Sequence, residues 1–221
     1  MKGSWELVAG GEQMLALPQK ALFWPDQSTL FVADVHLGKD ATMQAAGIPI
    51  PLGPTNSSLH NLTDLLLQVQ PKRLVLLGDL WHAKAGRTAD LVADFVAWRQ
   101  LHCEIEMLLV EGNHDAKAGP LPAEIGVSEV KEPHKMGPFS LCHHPETVAQ
   151  GYVLSGHIHP GVVLHGKGRQ SMRLPCFWFG KKVAVLPAFG EFTGCGRVSP
   201  CEGDQVLLIA EGSVFPAQIS T

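Results

Sequence analysis

The sequence predicts an α/β protein in which a helix-backed parallel sheet is followed by a second, strand-rich half. Between positions 28 and 110, short apolar segments alternate with amphipathic helical segments, which is the signature of right-handed βαβ units. After about Val127, strand-like segments follow one another with many turns. We therefore expect two sheets packed face to face. The 221 residues contain no repeat or linker, which predicts a single domain over 1–221.

The first half begins with short strands that turn at Gly10–Gly11. Compact apolar runs of strand length then alternate with leucine-rich segments of helical spacing, and Pro71 ends the first of these helices. The predicted elements are a strand at 28–34, a helix at 55–70, a strand at 73–78, a helix around 91–98 and a strand at 104–110.

The second half contains short apolar segments separated by turn residues, as expected for a sheet whose strands are joined by tight connections. The predicted strands lie at 139–142, 152–155, 162–164, 172–179, 183–186 and 206–209.

Composition excludes several classes of protein. Hydrophobic residues make up 45% of the chain and charged residues 17%, which excludes a disordered chain. The longest apolar segments, such as Leu74–Leu77, are far too short to span a bilayer, and Glu6 and Glu12 interrupt any signal-peptide core. Five cysteines without a CxxC pair predict free thiols in a reducing compartment. We expect a cytoplasmic protein with no membrane partner.

The net charge is −4, but it is unevenly distributed. The segment between Thr147 and Gly190 has no acidic residue and a charge of +5, so the remainder carries −9. This segment is either a solvated sheet face or a basic patch beside a phosphate-handling site. Three consecutive aromatic residues in this segment, Phe177–Phe179, either stack bases or belong to the core. The basic residues are Lys167, Arg169, Arg173, Lys181 and Lys182.

Residues of metal-binding type stand at the ends of the predicted strands. In open α/β sheets, ligands bind outside the carboxyl ends of the strands, so residues that end neighbouring strands should converge. In an extended segment, the two imidazoles of a His-x-His sequence project to one face. The motifs are Asp34-Val35-His36, Gly78-Asp79, Gly112-Asn113-His114-Asp115, His143-His144 and Gly156-His157-Ile158-His159.

The motifs differ in how specifically they indicate a site. Asp34 and His36 alone could form a surface pair, and an aspartate after Gly78 is ordinary turn chemistry. The sequence Gly-Asn-His-Asp at 112–115 is specific, because average residue usage would produce it in on the order of one chain in a thousand. Together, and in this order at strand ends, the motifs predict one binding site.

This series of motifs resembles the calcineurin-like metallophosphoesterases. Five segments that overlap or follow these motifs are similar to those of the bacterial ligase-associated DNA damage response endonucleases. The resemblance implies a four-layer αββα sandwich of two mixed β-sheets flanked by helices. The segments that carry the closer resemblance are 33–39, 143–145, 174–178, 186–190 and 192–194.

The resemblance implies a site for two divalent metal ions. Two such ions ~3.5–4 Å apart lower the pKa of a bridging water and clamp the transferring oxygens. Imidazole, carboxylate and amide ligands suit Mn, Fe, Ni or Zn, and manganese is the usual activator in the family. The implied ligands are Asp34, His36 and His159 for one ion and Asn113, His143 and His157 for the other, with Asp79 bridging both.

The resemblance assigns roles in catalysis as well. His114 is expected to act as general acid or phosphate contact at the leaving-group oxygen, and Asp34 to orient it or raise its basicity. In an extended turn, the His114 ring would point away from the direction of its neighbour Asn113. Asn113 and His144 are expected to touch substrate, although His144 could instead cap its strand. His82 follows Asp79 closely and could approach the site.

Two further observations complete the sequence picture. Many relatives carry Arg directly after Gly-Asn-His-Asp, whereas this chain has Ala116 followed by Lys117. The remaining histidines match no motif, and we expect them to be structural or exposed to solvent. They are His60, His102, His134 and His165.

These observations predict a manganese-dependent DNA endonuclease or phosphodiesterase of the DNA damage response, with His114 and Asp34 catalytic. The resemblance implies DNA as substrate and a ligase, helicase or exonuclease as repair partners. The same ligands would equally serve a phosphodiesterase or phosphatase for a cyclic nucleotide, nucleotide-sugar or phosphoprotein. A non-catalytic protein-binding scaffold is disfavoured, because the chain keeps His114 and every implied ligand.

Overall fold

In the computed structural model, the first half of the chain forms a seven-stranded mixed sheet. The structure describes residues 1–50, 53–147, 149–166, 170–191 and 193–217. The strands are β1 (Trp5–Ala9), β2 (Glu12–Leu17), β3 (Ala21–Trp24), β4 (Thr29–Val32), β5 (Arg73–Leu77), β6 (Glu106–Val110) and β7 (Ser128–Val130). They lie in the sheet in their sequence order. Neighbours from β1 to β4 are antiparallel, whereas β4, β5, β6 and β7 are parallel.

Four α-helices lie within the described part of this half: α1 (Lys39–Ala45), α2 (Pro54–Val69), α3 (Ala89–Leu101) and α4 (Asn113–Ala118). A proline begins α2 at a position whose N–H would have no helical partner. Helix α3 begins where the Thr88 side chain accepts a hydrogen bond from the Leu91 N–H at 3.2 Å. The apolar faces of α2 and α3, including Leu62 and Phe95, pack with residues of β4 and β5 into one core cluster.

The second half forms a nine-stranded sheet, counted over the described ranges. The strands are β8 (His134–Met136), β9 (Phe139–Leu141), β10 (Tyr152–Ser155), β11 (Pro160–His165), β12 (Ser171–Phe179), β13 (Val183–Val185), β14 (Gly196–Arg197), β15 (Gln205–Ala210) and β16 (Ser213–Pro216). The order is β14-β11-β12-β13-β10-β9-β8, and β15 and β16 extend from β12. Strand β10 is parallel to both β9 and β13, so this sheet is mixed as well.

The two sheets pack face to face through a shared apolar core. Phe31 and Val75 from the first sheet meet Phe139, Leu154 and Phe177 from the second in one cluster, and all five are fully buried. The other face of the first sheet carries the helices, as described above. The predicted α/β sandwich of two mixed sheets is therefore confirmed.

The outer face of the second sheet has its own small apolar cluster. Cys176, Val206 and Leu208 pack there with Val198, which follows β14, and with Ala217 near the end of the described chain. Val198 and Ala217, from irregular segments, therefore cover part of this face, while the described α-helices belong to the first half of the chain.

The aromatic residues of β12 belong to the protein interior. Phe177 is fully buried and Phe179 nearly so, and both lie in the core between the sheets. Trp178 faces the other side, where its Nε1–H donates to Asp204 Oδ2 at 2.9 Å. Of the two alternatives left open by the sequence, Phe177 and Phe179 belong to the core, where their rings offer no face to a ligand, whereas Trp178 is half-buried on the outer face.

The structure separates the members of the predicted basic stretch. Lys167 and Arg169 lie outside the described residues. Lys181 and Lys182 are exposed in the turn before β13, level with the start of β10, whereas the metal-type residue His157 follows the end of β10. Arg173 lies on β12 opposite Val163 and donates to the Cys195 carbonyl at 2.8 Å. The two lysines and Arg173 therefore do not form one patch.

Most predicted elements occur with ends shifted by a few residues, as in α2 for the predicted helix 55–70 and β11 for the predicted strand 162–164. Short elements were not predicted, among them α1, β7, β8 and β14. The expectation of an extended turn at His114 is wrong, because Asn113 and His114 form the first turn of α4. None of the helices in the described ranges combines the length and apolar character that a membrane span requires.

Candidate metal centre

The predicted site residues follow strands that end at one edge of the sandwich. Asp34 follows β4, Asp79 follows β5 and Asn113 follows β6, all parallel strands of the first sheet. His143 follows β9, and His157 follows the parallel strand β10 in the second sheet. At this edge a parallel bridge between Ala33 and Ala188 joins the two sheets, so their strand ends meet.

The backbone holds many of these residues in the left-handed region. Nine non-glycine residues of the described chain have positive φ, and five of them are predicted ligands. Non-glycine residues adopt this region rarely, and such strain clusters at functional sites. The five have φ values between 48° and 71°: Asp34, His36, Asp79, His157 and His159.

One group of potential ligands consists of Asp34, His36 and His159, whose donor atoms lie within 4.8 Å of one another. The Nε2 atoms of His36 and His159 are 3.3 Å apart. Asp34 Oδ1 lies 3.3 Å from His159 Nε2 but is buried without a hydrogen bond from any described residue. Its other oxygen, Oδ2, accepts the His157 N–H at 2.9 Å. A buried carboxylate oxygen left in this state is costly and suits a cation.

The second group forms around His143, which is fully buried. Its Nε2 lies 3.4 Å from Asp79 Oδ2, 3.0 Å from Asn113 Oδ1 and 3.1 Å from His157 Nδ1. Its Nδ1–H donates to the Leu77 carbonyl at 3.1 Å, which directs the Nε2 lone pair toward the other three residues. A second-nitrogen contact of this kind is typical of histidine ligands.

Asp79 lies between the two groups. Its Oδ2 atom is 3.9 Å from His36 Nε2 on one side and 3.4 Å from His143 Nε2 on the other. Its Oδ1 atom accepts the His114 N–H at 2.9 Å. The structure thus places one carboxylate oxygen where it faces both groups, which is the position a bridging ligand needs.

Burial and neighbouring charges set the protonation of these groups. Burial lowers the pKa of His36 to about 2, so its ring is neutral and can offer a lone pair. Burial opposes ionisation of Asp79 and His143, but their mutual hydrogen bond and attraction dominate. They lower the pKa of Asp79 to about 2 and raise that of His143 to about 9. A divalent cation held by both residues would take the place of the His143 proton.

Glycines let these loops approach one another closely. A Cβ atom on Gly156 would lie 2.5 Å from Asp34 Oδ2, and one on Gly78 would lie 2.1 Å from His143 Nδ1. Both contacts are far inside van der Waals range. The glycines of the Gly-Asp and Gly-His-x-His motifs are therefore required by packing against other ligand residues.

Asp115 holds the backbone around Asp79 in place, a role that sequence reasoning did not assign. This buried carboxylate accepts hydrogen bonds from the N–H groups of Asp79 at 2.7 Å, Trp81 at 2.9 Å and Gly112 at 3.0 Å. Burial raises its pKa to about 6. The Gly-Asn-His-Asp motif could have pointed to Asp115. Its contact with Asp79 was not predicted, because Asp79 lies 36 residues away in sequence.

Glu132 is a second supporting residue that sequence reasoning missed. Its Oε2 accepts the N–H groups of His143 at 2.6 Å and His144 at 3.0 Å. Its Oε1 lies 2.6 Å from His144 Nδ1, which leaves Nε2 of His144 free of this contact. The His144 ring lies 4.4 Å from that of His157. His144 therefore stands beside the second group, and no sequence motif pointed to Glu132.

The structure brings His114 and His82 to the other side of the centre. His114 Nδ1 lies 2.5 Å from the His82 carbonyl, so the Nδ1–H donates to it. The two rings stack at 4.9 Å, and His82 Nδ1 lies 3.3 Å from His36 Nδ1. We expected Asp34 to orient His114 or raise its basicity, but the described contact of His114 Nδ1 is the His82 carbonyl, while Asp34 contacts the His157 N–H and His159 Nε2. His82 does approach the site, as expected.

The remaining histidines match the expectation of structural or exposed positions where the structure describes their side chains. His60 is exposed and lies 3.5 Å from Asp64 one helical turn on. The His102 ring packs 4.9 Å from that of Trp98. His134 is half-buried on β8, and His165 ends β11. The first three belong to none of the groups of potential metal ligands found among the described residues.

A sandwich of two mixed sheets with a histidine and carboxylate cluster at its strand ends is the arrangement that defines metallophosphoesterases. A scan against protein-family models and a search of curated proteins found no match. Among solved structures, the crystal structure of Pseudomonas putida nuclease MPE matches with a TM-score of 0.83 and 36% identity, covering 97% of this chain and 100% of that one. YfcE, a phosphoesterase from E. coli, matches with a TM-score of 0.42 and 13% identity, covering 87% and 99%.

The chain belongs to the calcineurin-like metallophosphoesterases, in the same nuclease family as the Pseudomonas putida protein. It is accordingly a hydrolase of phosphoric esters. The clustered imidazoles and carboxylates agree with the use of divalent metal ions by this class.

Proposed function

We propose that this chain is a manganese-dependent DNA phosphodiesterase or endonuclease that acts in the cytoplasm in the DNA damage response. The observation that carries the proposal is the convergence of both sheets on Asp79, whose Oδ2 faces His36 and His143 together. The 36% identity with a nuclease over nearly the whole chain supports a nucleic acid as substrate. The ligase, helicase or exonuclease partners that the resemblance implies are part of the same proposal.

In this proposal, seven side chains hold two ions. When bound, a pair of divalent ions supplies a nucleophile at neutral pH and stabilises charge on the phosphoryl oxygens. The orphaned Oδ1 of Asp34 and the lone pair of His143 Nε2 support this assignment. One ion has Asp34, His36, Asp79 and His159 as ligands, and the other has Asp79, Asn113, His143 and His157.

His114 is the proposed general acid. Its Nδ1–H is engaged by the His82 carbonyl, so the proton to be transferred is the one on Nε2. In the protonated ring, Nε2–H donates its proton to the leaving-group oxygen. Asn113 and His144 orient the phosphate, and the contact of Glu132 with His144 Nδ1 leaves the Nε2 of His144 for that role. Asp34 serves as a ligand, and its carboxylate also holds the His157 loop by accepting the His157 N–H.

Ligands that combine imidazole, carboxylate and amide groups without a thiolate suit Mn, Fe, Ni or Zn, and manganese is the first choice among them because it is the usual activator in the family that the sequence resembles. The described cysteines Cys103, Cys142, Cys176, Cys195 and Cys201 belong to none of the potential metal groups.

The decisive experiment compares four substrates with the protein reconstituted with each of the four metals. The substrates are a chromogenic phosphodiester, a chromogenic phosphomonoester, single-stranded DNA and double-stranded DNA. We expect the highest rates with manganese, on the diester and on DNA. Cleavage of the small diester without cleavage of DNA at any salt concentration would instead identify a small-molecule phosphodiesterase, and activity on the monoester alone would identify a phosphatase.

A further inference from the structure

One edge of strand β11 is open beyond its first two residues. Strand β14 pairs with β11 only at Pro160 and Gly161, and beyond them no described strand lies on that side of β11. The residues that follow, Val162–Leu164, are apolar, and Leu164 is 42% exposed. Its cross-strand neighbour Met172 is 62% exposed. An open apolar edge is a template for another strand, which is why proteins usually protect their edges with charges or proline.

The backbone hydrogen-bonding groups of Val163 point toward this open edge. The Gly166 N–H donates to the Gln170 carbonyl at 2.9 Å, which closes the hairpin between β11 and β12. Hydrogen-bonded and non-hydrogen-bonded pairs alternate along an antiparallel ladder. When the register is followed from the closing pair, Val163 and Arg173 form a non-hydrogen-bonded pair. The N–H and the carbonyl of Val163 therefore face away from β12 and remain available to a strand on the other side.

A cavity of about 540 Å³ lies beside the same edge. Four consecutive residues of β11, 161–164, line it, and alternate side chains of a strand point to opposite faces. The cavity therefore follows the edge of the strand rather than one face of the sheet. Its other lining residues include the apolar Val198 and Leu208. The open edge and this cavity together form one groove, whose volume and apolar lining are typical of ligand-binding pockets.

Two arginines line this groove, and neither has a counter-charge among the described residues. Arg173 and Arg197 are both exposed. The ion pairs that lysine and arginine form in the described chain are those of Arg73 and Lys131. Arg173 Nη1 donates to the Cys195 carbonyl at 2.8 Å, which positions its guanidinium group. None of the described lining residues is acidic, so the groove favours a ligand that carries negative charge.

We propose that the groove along β11 binds an extended peptide segment of a protein partner, with apolar side chains in the cavity and acidic side chains on Arg173 and Arg197. The peptide adds a strand to the sheet by pairing with the N–H and carbonyl of Val163. In this mode of recognition, main-chain hydrogen bonds supply affinity and pockets for alternate side chains supply specificity.

The same features disfavour two other occupants of the groove. Pairing with the same edge of a second copy of this chain would bring the arginines of both copies together, and like charges repel. A DNA strand would use Arg173 and Arg197 through its phosphates but would leave the apolar cavity and the open strand edge unused. The peptide uses all three features.

The test measures binding of a fluorescein-labelled peptide, Asp-Glu-Val-Leu-Val-Glu-Asp, by fluorescence anisotropy. We expect the wild-type protein to bind it about tenfold or more tightly than a peptide with lysine at the four acidic positions. A peptide with proline at the three apolar positions should lose affinity as well, because it remains apolar and extended but offers no N–H to the open edge.

Leu164→Asp should raise the dissociation constant of the acidic peptide about tenfold or more, because it places a negative charge in the groove. Val8→Asp changes another exposed strand residue, away from the groove, and should bind like the wild type. Val163→Pro should weaken binding too, since it removes an edge N–H that β12 does not use. Asp79→Asn should retain peptide affinity, which excludes coordination of the acidic residues by metal ions.

Absence of peptide binding to the wild type, or unchanged affinity in Leu164→Asp, would overturn the proposal. DNA cleavage that falls in Leu164→Asp as much as peptide binding does would assign the groove to DNA. A wild-type dimer that dissociates in this variant, measured by sedimentation velocity, would assign it to a second copy. Circular dichroism of each variant checks that it is folded. The groove contains none of the proposed metal ligands, so a protein that cleaves no DNA would contradict the proposed function and leave this inference intact.

Discussion

At the scale of single residues, the chemistry depends on which atoms of each side chain are already engaged. Asp79 uses Oδ1 for the His114 N–H and keeps Oδ2 for the two ligand groups. His143 uses Nδ1 for the Leu77 carbonyl and keeps Nε2 for the centre. His114 uses Nδ1 for the His82 carbonyl, and its ring belongs to neither proposed ligand set. Metal binding and proton transfer should therefore be separable by mutation.

His114→Ala should retain both metal ions and slow the chemical step. General acid catalysis is typically worth ~10²–10⁴-fold, so kcat on a poor leaving group should fall by about that factor. The loss should shrink on a substrate with a good leaving group, which needs less protonation. Metal analysis of the purified variant and kcat on a pair of such diesters are the measurements.

Asp79→Asn is the matched comparison for that variant. It removes the shared anionic oxygen, so metal content and activity should be lost together. If His114→Ala were instead to lack one ion, His114 would be a ligand. If it kept wild-type rates on poor leaving groups, the general-acid assignment would be wrong.

Gly156→Ala should reduce metal binding without replacing a ligand. The new Cβ would lie 2.5 Å from Asp34 Oδ2 and 2.6 Å from Ala33 Cβ, so the two loops must move apart. We expect reduced metal content and a loss of stability of roughly 1–3 kcal/mol, as for other overpacked sites. Gly194→Ala is the control, because a Cβ atom at that position would have no neighbour within 4 Å. Equal metal content in the two variants would refute the packing argument.

At the scale of elements, α1 and the start of α2 are tied together by one buried carboxylate. Asp40 accepts hydrogen bonds from the Thr55 hydroxyl at 2.6 Å and from the Ala41 N–H at 3.0 Å. Thr55 Oγ1 in turn accepts the Gly38 N–H at 3.0 Å. Burial alone would raise the pKa of Asp40, but these hydrogen bonds outweigh it and lower the pKa below its usual range.

Asp40→Asn should therefore lower stability in a pH-dependent way. A carboxyl whose pKa is depressed on folding stabilises the native state above its unfolded pKa of about 3.9, and this contribution disappears as pH falls through the folded pKa. We expect a loss of about 1–3 kcal/mol at pH 7, which diminishes below about pH 4. Urea unfolding at several pH values measures it. A difference from wild type that stays constant down to pH 3 would exclude the ionised form as the cause.

The elements with long, regular patterns could be predicted from the sequence, and the contacts around the site could not. The leucine spacing of α2 and the apolar run of β5 are local signals. The strand-end positions of Asp34, Asp79 and His157 follow from the rule for parallel sheets. Glu132 carries no such signal, because its partners come from a strand end 11 and 12 residues on. The helix α4 was missed because six residues are too few to show periodicity.

At the scale of the whole molecule, the proposed ions connect the two sheets. Asp34, Asp79 and Asn113 follow strands of the first sheet, whereas His143 and His157 follow strands of the second. A ligand set of this kind crosses the interface between the sheets. Metal binding should therefore stabilise the packing of the sandwich as well as the loops.

Removal of the metal should lower the melting temperature. A ligand present at about 100 times its Kd stabilises the native state by about 2.7 kcal/mol. For a domain of this length that corresponds to a shift of about 5–10 °C. Differential scanning calorimetry of chelator-treated and manganese-reconstituted protein measures the shift, and Asp79→Asn should show none. Equal melting temperatures with and without manganese would contradict the proposed ligand set.

If DNA is the substrate, as proposed, the charge distribution of the molecule predicts which surface binds it. Arg197 on β14 pairs with Gly161 of β11, two residues after His159, and Arg173 lies on β12, which is on the other side of β11. Lys181 and Lys182 lie at the other end of the sheet. Replacing both arginines with Gln should weaken DNA cleavage and flatten its salt dependence by up to about 0.9 per lost phosphate contact.

Replacing both lysines with Gln is the matched control for the arginine variant and should change DNA cleavage little. Neither pair should affect a small chromogenic diester, which reaches only the metal centre. Equal losses of the arginine variant on DNA and on the diester would indicate a folding defect and contradict a DNA contact.

The left-handed turns at Asp34, His36, Asp79, His157 and His159 constrain how the gene can change. In such a turn, the backbone torsion angles of the ligand residue set the direction of its side chain. One inserted or deleted residue would change these angles and point the ligand away from the site. In the described part of the segment between β6 and β10, no residue other than glycine has a positive φ, and the contacts of Asp115 and Glu132 are the main constraints besides the ligands. Length variation among homologous sequences should therefore concentrate in that segment and be absent from the turns, a pattern that sequencing more members of the family would show.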